Sequence, residues 1–173
     1  EAVKWFRQAA ERGNVDGQYN LGVAYEQGIS GEKNQPEAVK WYRKAAEQGH
    51  VNAQCKLGLC YEYATGVDQD QREAAKWYRK AADQGDAAAQ NNLGLRYVKG
   101  TGVEHDDIAA VNWFRKAAEQ GFAEAQYNYG LCCLRGVGLE KDQIEAAKWF
   151  RKASEQGNAK AQQALKLIAQ PQN

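Results

Sequence analysis

Four cysteines and two histidines are the most reactive side chains in this sequence, and their spacing limits what they can do. His50 and His105 lie far apart, and neither has further ligands at metal spacing. Cys55 and Cys60 would sit about 140° apart around a helix and cannot bridge without unwinding it. Cys132 and Cys133 are neighbours and would diverge by about 100°. Small buried hydrophobes fit these spacings better than disulfides or ligands, which leans towards a reducing compartment. Ser30 and Ser154 have no His and Asp arranged around them for nucleophilic catalysis. The connectors GTGVEHD (100–106) and GVGLEKD (136–142) lack the Lys-Ser/Thr and the preceding strand of a phosphate loop. No catalytic, cofactor or metal-binding residue is expected, and the chain reads as no enzyme.

The elements that would position any functional side chain are repeats. EAVKWYRKAAEQG (37–49) returns in near-copy from Glu1, Glu73, Ala109 and Glu145, each start 36 residues from the next. Such a period marks a solenoid whose units pack on their neighbours. Ala38, Trp41, Tyr42, Ala45 and Ala46 form the apolar stripe of a core-facing helix. The five tryptophans, Trp5 to Trp149, are expected in the core rather than on an aromatic ligand platform. Gly49 and its copies sit where a left-handed C-terminal cap belongs. Asn34–Glu37, Asp70–Glu73 and Asp142–Glu145 have capping-box spacing, whereas Asp106 is followed by Ala109. Arg7 and Glu11, with their copies, read as solvated pairs one helical turn apart.

A second helix lies between the copies: GQYNLGVAYEQ from Gly17, AQCKLGLCYEY from Ala53, AQNNLGLRYVK from Ala89 and AQYNYGLCCLR from Ala125. A glycine inside a helix costs about 0.8–1 kcal/mol relative to alanine. Gly22, Gly58, Gly94 and Gly130 therefore mark points where the two helices of a unit approach closely. Lys plus Arg number 23 against 22 Asp plus Glu, which leaves no net field for nucleic acid. No apolar run approaches the length of a membrane span. The chain contains no Met and reads as a processed or excised segment.

The recurring pattern AxYxLGxxYxxGxGVxxDxxxAxxWYxKAAEQG resembles that of the Sel-1-like repeat family, a relative of the tetratricopeptide repeats. The resemblance implies an all-α fold, an α-solenoid coiled as a right-handed superhelix of antiparallel helix pairs. In that framing residues 14–49, 50–85, 86–121 and 122–157 are four full repeats, each an A helix followed by a B helix. Residues 1–13 are then an orphan B helix, which implies at least one further repeat in front. Residues 158–173 are an A helix with Lys166 at the glycine position and Ala169 at the tyrosine position, as in a capping helix with a polar outer face. Some cysteine-rich members staple each repeat with a disulfide, but the cysteine spacing here lacks that pattern. Because the family also includes exported bacterial proteins, the compartment stays open.

Function is expected where the repeats stop copying one another. The resemblance places the A helices on a concave groove, with positions 16, 19, 20, 23 and 27 of the first copy facing it. Reading across the copies gives Tyr19, Asn20, Lys56, Leu59, Asn91, Asn92, Leu95, Lys99, Tyr127, Asn128, Leu131 and Arg135 as candidate partner-binding residues. Asparagine offers both a donor and an acceptor and can hold an extended backbone of any sequence. Lys56, Lys99 and Arg135 favour an acidic side chain or a C-terminal carboxylate in the ligand. The leading reading is a protein-interaction scaffold that captures a peptide or partner domain. A spacer, or an array that self-associates through the uncapped N-terminal helix, is the alternative. A small-molecule binder or enzyme would need a deep pocket that no polar cluster suggests.

Overall fold

The computed structural model describes residues 2–29 and 31–169. Glu1, the loop residue Ser30 and the last four residues of the expected capping helix lie outside the described residues. The described residues form ten helices: α1 (Ala2–Glu11), α2 (Val15–Gln27), α3 (Gln35–Glu47), α4 (Val51–Tyr63), α5 (Gln71–Asp83), α6 (Ala87–Lys99), α7 (Asp107–Glu119), α8 (Ala123–Arg135), α9 (Gln143–Glu155) and α10 (Ala159–Ala169). The architecture is all-α, built on the 36-residue step. The chain divides into two compact units, residues 1–86 with α1 to α5 and residues 87–173 with α6 to α10. Within each unit every helix packs on the next in sequence.

Local signals place the helix ends. Asn34 and Asp142 accept hydrogen bonds from the backbone N–H groups of Glu37 and Glu145, at 3.1 and 2.9 Å. Asp70 accepts from both Arg72 and Glu73. Asp106 caps the Ala109 amide at 2.9 Å despite its incomplete box. The glutamates of the boxes depart from expectation. Instead of turning back to the cap, Glu73 and Glu145 pair with Lys76 and Lys148 at 2.9 and 3.0 Å, and Glu37 pairs with Lys40. A lysine one turn along offers a full charge, which outcompetes an amide that water can reach. Gly49 has φ +91° with open space around its Cβ position, so backbone conformation alone demands glycine there.

The core differs from the sequence reading in one respect. The ring held fully inside each unit belongs to the residue after tryptophan: Tyr42, Tyr78, Phe114 and Phe150 are 0–2% exposed. Each ring lies against the mid-helix glycine of its paired A helix. A Cβ added at Gly22, Gly58 or Gly130 would come 2.7 Å from that ring, and one at Gly94 2.6 Å. The glycines thus mark close approach, as expected, and the aromatic ring is what approaches. Adjacent helical positions differ by about 100°, so only one of the two aromatics can face this niche. Trp149 turns to the seam with the preceding repeat instead. Trp149 packs on Ala117, Ala118 and Ala125 and meets Tyr129 edge-to-face at 5.3 Å. Trp77 is also buried, Trp41 and Trp113 are half-buried, and Trp5 is 66% exposed. A lysine three residues on lies over four of these rings, 4.0–4.3 Å from the centroid.

Two further expectations change. Arg7 and Arg43 donate to the hydroxyls of Tyr25 and Tyr61 on the following A helix, while Arg115–Glu119, at 3.9 Å, keeps the solvated pairing. The long guanidinium reaches a fixed phenol at less entropic cost than a mobile carboxylate. The outer surface of α10 is not wholly polar, since Leu167 is 64% exposed beside the exposed Lys166.

The ring seats generate a direct test. An exposed Gly→Ala change in a helix stabilises by about 0.5–1 kcal/mol, but Gly58→Ala drives a methyl into Tyr78. We expect a net loss of about 1–3 kcal/mol in urea unfolding, as for other overpacked cores.

Candidate partner-binding surface

Glutamines at two fixed positions tie together the two helices of each repeat. Gln18, Gln54, Gln90 and Gln126 are buried. Their side-chain carbonyls accept from Gln48, Gln84, Gln120 and Gln156 at 2.7–2.8 Å. Gln54 and Gln126 also donate to the carbonyls of Ala46 and Ala118. The sequence signal is the Gln of AQ and the Gln that precedes the capping glycine in four of the five copies, Arg12 standing in the first. These amides are spent inside the fold and cannot serve a ligand.

In the first unit the candidate residues are partly engaged. Tyr19 stacks on His50 with centroids 4.5 Å apart and tilts against Tyr42 at 5.8 Å. His50 accepts the Ala53 amide at 3.2 Å as a helix cap, and its other ring nitrogen lies 3.4 Å from Asp16. His105 likewise meets the carbonyls of Tyr97 and Val98 and lies near Asp107. Among the described residues no three or more His, Cys, Asp or Glu are grouped to hold a metal ion. Lys56 is not a free cation, because its ammonium donates to both oxygens of Glu26 at 2.9 and 3.1 Å. Glu26 also accepts from the buried hydroxyl of Tyr42 at 2.7 Å. Burial first, then this carboxylate, push the Tyr42 hydroxyl pKa far above its ordinary value. Asn20 and Leu59 are half-buried on the same helices.

In the second unit, Asn91 is buried and its carbonyl accepts from Asn128 at 2.8 Å. This pair is closed on itself in part, a limit on the expected asparagine ladder. Asn92 is half-buried, Leu95 packs on the cluster around Phe114, and Lys99 is exposed. Tyr127 tilts against Phe150 at 5.7 Å. Tyr127, Leu131 and Arg135 come together along one side of an open cleft of about 560 Å³. Gln163, Ala164 and Leu167 of α10, from the equivalent rows, form the other side, and Lys141, Gln143 and Lys160 also border it. Lys160 was legible as the sign change in the series Asp16, Asn52, Ala88, Glu124, Lys160.

The four thiols are free. Burial, then Asp86, push Cys55 up to about 12; burial, then Glu26, push Cys60 up to about 11; burial, then Cys133, push Cys132 up to about 11. They are packing residues, as their spacing suggested. Among the described residues no helix is long and apolar enough to cross a membrane.

Helix pairs stacked at a fixed 36-residue step, with the same amide pair inside each and variable rows on the A helices, define an α-solenoid repeat protein. The chain belongs to the Sel1 repeat family, whose model matches residues 1–14, 15–50, 51–86, 87–122 and 123–158. Proteins of this family generally act as protein-interaction scaffolds and are generally non-enzymatic. The fold is similar to a Sel1 repeat protein from Oxalobacter formigenes, at 38% identity and TM-score 0.90 over 99% of this chain and 71% of that one. It is also similar to c5321, a protective antigen present in uropathogenic Escherichia coli strains and displaying the same repeat fold. That match has 41% identity and TM-score 0.92, covering 96% of this chain and 36% of that one. Helicobacter pylori cysteine-rich protein B shares the fold at 22% identity and TM-score 0.61, over 77% of this chain and 96% of that one. No curated protein matches the chain.

Two measurements probe this chemistry. Glu26→Leu strips the Tyr42 hydroxyl of its acceptor and should cost about 1–3 kcal/mol. Adding Tyr42→Phe, which copies the natural Leu134 and Phe150 combination, should recover most of that loss in a double-mutant cycle. The buried thiols should resist iodoacetamide at pH 8 in the folded chain and react on unfolding, read by mass spectrometry. Raised thiol values stabilise the fold fully below their ordinary value of 9.0, and that contribution should fade as pH climbs through about 11 to 12.

Proposed function

We propose that this chain is a protein-interaction scaffold that captures a peptide segment of its partner on the variable rows of the A helices. The observation that carries the reading is the shared cleft. Tyr127, Leu131 and Arg135, three residues picked for their rows, face Gln163, Ala164 and Leu167 across about 560 Å³ of open space. That volume lies in the usual range for binding sites, roughly 300–1,000 Å³. It combines apolar surface with amides, a phenol and cations. Three rows of the first unit, represented by Tyr19, Asn20 with Lys56, and Leu59, offer a second stretch of the same kind. The partner is an extended peptide or a protruding segment of a protein. Its acidic groups are favoured by Lys99 and Arg135, and less by Lys56, whose charge Glu26 already neutralises.

The test is a random-peptide display selection against the chain, repeated with Asn92→Ala, Asn128→Ala and Tyr127→Ala combined. Circular dichroism and a retained cooperative unfolding transition above the assay temperature qualify the variant as folded. Peptides enriched by the parent and lost by the variant are expected. Enrichment that ignores the three changes would move recognition off these rows.

A further inference from the structure

Many of the lysines are held by a partner within the fold. Lys40, Lys76 and Lys148 pair with a glutamate of their own helix, and Lys56 pairs with Glu26. Lys44, Lys80, Lys116 and Lys152 lie over tryptophan rings. Arg135, Lys141 and Lys160 do neither. All three border the cleft between α8 and α10, no carboxylate lines it, and none of them has an acidic partner among the described residues. With 23 basic and 22 acidic residues in the whole chain, this is a local concentration of charge and not a general basicity.

The placement of these charges defines what fits between them. Lys160 stands one 36-residue period after Glu124, in the first turn of its helix, while Arg135 ends α8. Eleven residues from the level of Glu124 to Arg135 rise about 16 Å along the helix axis. Lys141, in the connector before α9, adds charge to this cationic border. Leu131, Ala164 and the exposed Leu167 form the apolar middle. A single carboxylate, such as a chain terminus, cannot meet cations about 16 Å apart. In an extended peptide, side chains four residues apart point the same way and lie about 13 Å apart. The long lysine and arginine side chains close the remainder.

We propose that this cleft docks an extended internal segment of a partner protein with the pattern acid–x–apolar–x–acid. The apolar side chain lies between Leu131 and Leu167, one carboxylate meets Lys160, and the other meets Arg135 and Lys141. Gln143, Gln163 and Tyr127 supply donors and acceptors for the peptide backbone. The inference rests on the reading of the A-helix rows as the partner-binding surface and names the chemistry of one part of it.

The test uses the intact chain and a fluorescent peptide, acetyl-Ser-Glu-Ser-Leu-Ser-Glu-Ser-amide, blocked at both ends and followed by anisotropy. Replacing either Glu by Gln, or Leu by Ser, should weaken binding about tenfold. Arg135→Glu or Lys160→Glu should do the same, and raising salt should weaken it further. The Arg135→Glu, Lys160→Glu double variant should instead prefer the peptide with Lys in place of both Glu. That reversal of preference separates recognition from loss of fold. No saturable binding at millimolar peptide, or binding indifferent to both charge reversals, would overturn the proposal. If display-selected peptides still depend on Asn92, Asn128 and Tyr127 while this peptide fails, the A-helix rows remain the binding surface and only the acidic pattern falls. Binding of a one-carboxylate peptide as tight as the two-carboxylate one would also overturn it.

Discussion

The seat of an aromatic ring against a mid-helix glycine is the interaction on which each helix pair depends. A glycine inside a helix costs about 0.8–1 kcal/mol of propensity. The aromatic ring that occupies the space removes of the order of 150–250 Å² from water, which outweighs that cost several-fold. The seat also governs its polar surroundings. Tyr42 and Tyr78 place a hydroxyl at the end of the niche, and Glu26 and Glu62 accept from it at 2.7 and 2.6 Å. Phe114 and Phe150 need no acceptor, and the equivalent positions hold Val98 and Leu134. A core choice between Tyr and Phe is therefore written on the adjoining surface as a choice between carboxylate and aliphatic side chain. In the first unit the carboxylate of Glu26 draws in Lys56. In the last repeat Leu134 lines the cleft instead, and Arg135 next to it has no acid among the described residues.

Much of this fold was legible because the chain states it five times. A single helical window is ambiguous, but a period held from Trp5 to Trp149 fixes the spacing of elements, and the glycines and Asx caps fix their ends. The misreading of tryptophan has a simple origin. Positions 41 and 42 both lie within a broad apolar stripe, and only the location of the glycine on the opposing helix decides which of them is enclosed. The glutamates at the capping boxes were misassigned for a related reason. Sequence spacing shows that Glu37 can reach the cap amide but not that Lys40 competes for it.

The candidate surface was legible in part. Tyr127, Leu131 and Arg135 share one helical face, so a reading by rows finds them together. The bond from Asn128 to Asn91 joins two A helices, and its existence depends on how far apart those helices stand. Lys141 lies in a connector with no helical row at all. Lys160 sits on a row that the sequence pattern draws, but its significance emerges only when it is seen beside Arg135 and Lys141 at one cleft. A count of charges in the sequence gives near-neutrality and hides this distinction.

The same accounting explains why function should gather on so few residues. The repeated positions are self-satisfied: the ring fills the glycine niche, the glutamine pairs close on one another, and the lysines of α3, α5, α7 and α9 are held by Glu or Trp. Groups with their partners already inside the fold have little left to offer a ligand, since recruiting them would mean breaking what they make. Only positions free of the repeat's internal requirements can carry an unsatisfied charge or an exposed leucine without weakening the stack. A repeat with a complete internal network thus confines recognition to its variable rows, and successive copies can tune those rows independently. In the cleft beside α10, where Leu167 is exposed and no carboxylate among the described residues balances three cations, that freedom is used most fully.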